Sequence, residues 1–147
     1  MHRAGMLVAA IAITVGLAAC SSPAQPVQKP ITQLEVGDCF DTDAAFSIAL
    51  VQPTCDAPHL YEAFYLERIE GSDFPGDDAV AARADEVCTT QFEAFTGVPV
   101  SANAAAASMF LGPTAESWQQ DGDRTIVCVA MSIDATPRSG SFGAAGS

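Results

Sequence analysis

Five cysteines, at positions 20, 39, 55, 88 and 128, constrain this chain more than any other feature of its sequence. Cys20 stands apart. It closes an uncharged stretch, Met6–Ala19, that follows Arg3. A basic start, a short apolar run and small residues before a cut have the layout of a secretory signal. Fourteen residues also fall short of the ~20 that a spanning helix needs. An exported chain folds where thiols oxidise, and the other four cysteines are even in number, so two disulfides are expected. Four cysteines allow three pairings. Cys39 and Cys55 bracket the first predicted strand. Cys88 falls on the apolar face of the predicted main helix, and Cys128 on the strand that this face should cover. The expected pairs are therefore Cys39–Cys55 and Cys88–Cys128, worth roughly 3–4 kcal/mol each by loop-closure entropy. Zinc is disfavoured because no close Cys-x-x-Cys ligand pair exists.

Leu17-Ala18-Ala19-Cys20 resembles a bacterial lipobox, and Ser21-Ser22-Pro23 breaks the apolar run immediately after it. In such signals the thiol receives a diacylglycerol, and cleavage frees the Cys amine for a further acyl chain, palmitate in type. The resemblance implies a lipoprotein signal peptide over residues 1–19, lipidation at Cys20, and a place on the extracytoplasmic face of the cell membrane. Two or more acyl chains hold a protein stably at a bilayer. Residues 20–33, with Pro23, Pro26 and Pro30, read as a semi-rigid extended tether. Residues 134–147 end in Ser139-Gly-Ser-Phe-Gly-Ala-Ala-Gly-Ser147, too poor in side chains to pack, and read as a disordered tail. The folded domain is expected over residues 34–133.

Within it, Phe46–Gln52 and His59–Ile69 read as strands joined by a Pro-bounded turn. Asp77 is the expected N-cap of the main helix, with Asp78 favoured by the helix dipole. Val80, Ala84, Val87, Cys88, Phe92 and Phe95 share one face, and Gly97 and Pro99 stop the helix. Ala102–Ala107 is ambiguous, and Met109–Leu111 is a short strand candidate. Thr114 caps a short helix that holds Trp118. In Arg124–Ile133, both the Ile126/Cys128/Ala130 and the Val127/Val129/Met131 faces are apolar, which marks a central strand. The expected fold is α+β: a small antiparallel sheet with one main helix packed across it, stapled by two disulfides.

Charge narrows the function. Eighteen Asp+Glu against six Lys+Arg give a net charge of −12, which excludes a nucleic-acid binder that must displace counterions with clustered cations. No catalytic set is assembled: there is no Gly-x-Ser-x-Gly elbow, and the cysteines beyond Cys20 are committed to disulfides. Asp77/Asp78, Asp85/Glu86 and Asp121/Asp123 read as a solvated acidic face. Asp41 and Asp43 lack the glycine and final glutamate of a calcium loop. No cofactor and no metal are expected.

Val36-Gly-Asp-Cys-Phe40, Cys55-x-x-Pro-His59 with Tyr61-Glu62, Phe74-Pro-Gly76, Cys88, Trp118, and Gly122-Asp-Arg124 before Cys128 resemble, as a series, the septum-formation-related domain. Ala63 departs from it, where the family tends to a bulkier β-branched residue. The resemblance implies a cell-envelope module of actinobacteria, outside the membrane and linked to septation, with no enzymatic activity and no defined ligand. The series is rich in polar residues beyond cysteines and turn formers. Hence His59, Glu62, Trp118, Asp123 and Arg124 are the candidate binding residues, expected to converge if the starts of their two strands lie at one end of the sheet. The expected function is that of a membrane-anchored module binding an envelope protein or polymer; the alternative is an envelope-remodelling enzyme.

Overall fold

The computed structural model describes residues 24–144. The signal segment and Cys20 lie outside the described residues. Six strands form one antiparallel sheet: β1 (Val27–Pro30), β2 (Cys39–Thr42), β3 (Ile48–Val51), β4 (Tyr61–Arg68), β5 (Ala106–Leu111) and β6 (Thr125–Ser132), in the spatial order β1-β3-β2-β4-β6-β5. The main helix α1 (Asp77–Thr96) packs across β4, β6 and β5, and a short helix α2 (Ala115–Gln120) precedes β6. Among the described residues no helix is long and apolar enough to cross a membrane.

Period-2 alternation in β6 builds two cores on opposite faces of the sheet. Ile126, Cys128 and Ala130 join Phe64, Val80, Ala84, Cys88, Phe92 and Phe142 beneath α1. Val127 and Val129 join Leu34, Phe40, Ala49 and Ala63 on the other face. That second face is closed by curvature. A 3-10 turn at Ile31–Gln33 leads from β1 and brings Ile31 and Thr32 alongside Leu111, Thr125 and Val127, so the first edge of the sheet curls back toward the last. Both expected disulfides are present, Cys39–Cys55 and Cys88–Cys128, with Cα–Cα distances of 5.2 and 5.3 Å. The second ties α1 to the middle of β6.

The helix begins one residue away from the expected cap. Gly76 (φ 98°) is the N-cap, and Asp77 and Asp78 occupy the first turn, where carboxylates meet the positive end of the helix dipole. Gly97 ends it in the left-handed region (φ 75°), its N–H donating to Glu93 O, a conformation that costs glycine no Cβ clash. The ambiguous alanine run resolves into a 3-10 turn at Val100–Ala102 and the start of β5.

Two boundaries differ from those expected. Residues 27–33 are not tether: Val27 to Pro30 pair with Val51 to Ile48 of β3. Nor is the described part of the C-terminal segment a loose tail. Arg138 bridges His59, Phe142 is buried, and Ala144 N–H donates to Phe95 O. In both segments the order comes from backbone pairing with distant strands, which local composition does not report.

Candidate functional site

The five candidate residues fold into two separate groups. β4 and β6 are adjacent and antiparallel, with Tyr61 opposite Met131 and Arg68 opposite Thr125. His59 lies just before β4, and Arg124 just before β6, where its carbonyl accepts from Ile69 N–H. At ~3.3 Å per residue the strand holds His59 and Arg124 roughly 30 Å apart. The expected convergence is therefore overturned: the strand starts lie at opposite ends of the sheet.

At one end, Thr114 and Ser117 form a capping box that starts α2 and sets Trp118 into the core. The indole Nε1 donates to Ser72 O at 3.0 Å, and the ring meets Phe74 edge-on. Arg124 lies over the indole, 3.6 Å from its centroid, and its Nη1 donates to the carbonyls of Trp118 (2.8 Å) and Asp123 (2.9 Å). Asp123 accepts from Ser117 Oγ and Thr125 N–H. Trp118, Asp123 and Arg124 do meet, and they close the α2–β6 turn. Arg124→Ala is expected to lower the unfolding free energy by about 1–3 kcal/mol through the lost cation–π contact and charge-assisted hydrogen bonds, as read by urea denaturation.

At the other end, His59 and Glu62 hold the C-terminal segment as a strap. His59 is fully buried; it exchanges two 2.9 Å backbone hydrogen bonds with Arg138. Its Nδ1 lies 2.8 Å from Ala57 O. A carbonyl only accepts, so Nδ1 carries the proton. Nε2 is buried and has no hydrogen-bond partner among the described residues. Phe142 packs edge-on against the imidazole, and Arg138 covers the Phe142 ring at 4.5 Å. Glu62, 3% exposed, accepts from Ser141 Oγ (2.7 Å) and Phe142 N–H (2.6 Å). Its carboxylate also lies near Cys39 and Cys55, a grouping with the span of a metal site. The Cys39–Cys55 disulfide consumes both thiolates, so these residues do not form a metal ligand set.

A cavity of about 620 Å³ opens at the Trp118–Arg124 end, between the turn after β1, the β2–β3 turn and the start of α2. Thr32, Gln33, Phe46, Ser47, Thr114 and Asp121 are on its walls. The β2–β3 turn is built by Asp43, whose carboxylate accepts from Ser47 N–H (2.7 Å), Ser47 Oγ (2.5 Å) and Ile48 N–H (3.3 Å). This loop takes up residues that alternation alone assigns to a strand, so β3 starts at Ile48 and not at Phe46. Phe46 sits at φ 52°, a region that bulky side chains rarely adopt, and meets Tyr61 edge-on. The Ser47 side-chain and backbone hydrogen bonds hold the Asp43 carboxyl below its ordinary value of 3.8. Ionised Asp43 thus stabilises the turn above the unfolded value, and that contribution fades as pH falls through the lower folded one. Among the described residues, the walls carry hydroxyls, an amide and the carboxylates of Asp121 and Asp123, and no cation. Such a site suits neutral hydroxylated or amine-bearing groups and repels phosphates. Sequence reasoning missed Thr32, Gln33 and Phe46; the Asp43–Ser47 spacing was the one local signal.

These features define a class: a small α+β domain, twice stapled, with rigid polar ends and an open cavity at one of them. The septum formation family matches residues 17–139, and the chain belongs to that family. Membership links the protein to septation. No curated protein and no solved structure matches it.

Proposed function

We propose that this protein is a lipid-anchored binding module of the cell envelope, held at the extracytoplasmic face through Cys20, which recruits an envelope protein or polymer during septation and acts without catalysis. The observation that carries this reading is the 620 Å³ cavity built from three separate turns on a stapled sheet. Its volume lies in the range of ligand sites. The polar groups nearest it, Ser117 and Asp123, are engaged in holding the fold, which suits recognition by a fixed surface. The septum formation family supports the place of action.

Two experiments test the parts separately. Cys20→Ala is expected to release the protein from the membrane fraction or leave its precursor uncleaved; wild-type fractionation and migration of the variant would remove the anchor from the reading. A photo-crosslinking residue at Gln33, in the cavity, is expected to capture a partner in dividing cells, whereas one at the exposed Thr90 of α1 captures none. Equal capture from both positions, or none from Gln33, would overturn the binding role of the cavity.

A further inference from the structure

The two edges of the sheet are built differently. β1 has four residues and ends in Pro30, and its Lys29 is ion-paired with Asp38 (2.5 Å) and Glu35 (3.8 Å). A short strand with a lysine and a proline is how proteins keep an edge from pairing with another chain. β5 has none of these devices. Its six residues, Ala106-Ala-Ser-Met-Phe-Leu111, contain no charge and no proline.

Its outward groups follow from the register. Ile133 N–H donates to Ala105 O, directly opposite it, so Ala105 is turned toward β6. Alternation then turns Ala107, Met109 and Leu111 toward β6, and Ala106, Ser108 and Phe110 outward. Asn103 Oδ1 accepts from Ala106 N–H. The N–H and C=O groups of Ser108 and Phe110 are left along the open edge. The Phe110 side chain is 39% exposed and lies on the α1 face beside Gly112, where an added Cβ would stand 2.9 Å from Val80.

The helix supplies the second wall. Arg83 pairs with Glu67 of β4, which fixes the β4 flank of α1. At 100° per residue, Asp78, Ala81 and Asp85 fall on the opposite flank, beside β5. All three are exposed. An uncharged strand edge thus lies next to a helix flank bearing two carboxylates, on a chain of net charge −12.

We propose that the edge of β5 and the Asp78/Asp85 flank of α1 accept an extended segment of a basic partner protein as a seventh strand. The main chain of the segment pairs with Ser108 and Phe110, one apolar side chain covers Phe110, and cationic side chains face Asp78 and Asp85. This is recognition by strand addition, in which the backbone supplies affinity and alternate side chains supply specificity. Charge selects the occupant. A second copy of this acidic chain is repelled, and a lysine- or arginine-bearing strand is attracted. The proposal stands apart from the cavity, whose walls include none of Asp78, Asp85, Ser108 and Phe110.

The test uses the acylated full-length protein in detergent micelles and a ten-residue peptide of alternating lysine and threonine in which one central lysine is replaced by valine, so that one face carries lysines around a single apolar side chain. Adding the peptide is expected to slow amide hydrogen exchange at Ser108 and Phe110 by about tenfold or more, with no slowing by the counterpart that has glutamate in place of lysine. Ser108→Pro removes an outward N–H and none of the bonds to β6; it is expected to abolish the protection elsewhere along β5 while leaving the melting temperature within a few degrees. Phe110→Lys, which leaves the backbone intact, should weaken binding at least about tenfold by like-charge repulsion. Unchanged exchange at Ser108 and Phe110 would overturn the proposal, as would full binding by both variants, or equal binding of the two peptides. A dimer in sedimentation that Ser108→Pro dissociates would also overturn it, since the occupant would then be a second copy.

Discussion

Replacing Cys88 and Cys128 together by alanine is expected to lower the unfolding free energy by about 4 kcal/mol, against about 3 kcal/mol for the Cys39/Cys55 pair. The difference follows from loop length: the helix-to-sheet bridge spans 40 residues and the other 16. Domains of this size have only about 5–15 kcal/mol in all, so the first change removes a large part of the total. It acts at the centre of the larger core, where Cys88 and Cys128 lie among Ala84, Phe92, Ile126 and Ala130. Urea denaturation of each double variant measures both effects. A loss below about 1 kcal/mol for Cys88/Cys128, or a larger loss for Cys39/Cys55, would show that the unfolded chain is not restrained as loop closure requires.

Glu62→Ala is expected to cost about 3 kcal/mol and to free the strap. The carboxylate is the acceptor for Ser141 Oγ and Phe142 N–H in a nearly dry site. The Phe142 N–H left buried without an acceptor costs about 1–3 kcal/mol, and releasing the strap instead exposes Phe142, at about 2–3 kcal/mol. Both routes lead to a similar loss. Amide exchange distinguishes this from general unfolding: protection at Phe142 should vanish while the amides of α1 keep theirs. Glu62→Gln keeps one acceptor oxygen and should give about half the loss. If Phe142 stays protected in Glu62→Ala, the strap is held by His59 and the apolar contacts alone.

The parts of this fold that could be read from sequence are those where one side chain reports its own environment. The apolar face of α1 and the two apolar faces of β6 placed Cys88 against Cys128, and Thr114 after Pro113 marked the start of α2. The parts that could not be read depend on a partner far along the chain. β1 looks like a proline-spaced tether because its strand is made by hydrogen bonds to β3. The strap looks like low-complexity tail because its order comes from Glu62 and His59, some 80 residues away. The same limit shaped the candidate site. That Trp118 and Arg124 lie near one turn was legible from their spacing, but whether that pair could meet His59 depended on strand direction. No local pattern encodes strand direction, and the antiparallel pairing of β4 with β6 put the two groups at opposite ends.

The absorption of β1 into the sheet also sets how far the cavity can stand from the proposed anchor. Val27 pairs with Val51, which lies opposite Phe40, which lies opposite Tyr61, so the chain enters the domain at the strap end. If Cys20 is acylated as proposed above, only Ser21–Pro26 separates the bilayer from that entry point, a leash of about 20 Å at full stretch. Net negative charge pushes the domain away from anionic head groups to the end of this leash. The cavity wall begins at Pro30, three residues beyond Val27, so it lies only about 10 Å along the strand from the entry point. The cavity then stays within about 30 Å of the bilayer, in reach of a partner embedded in the same membrane.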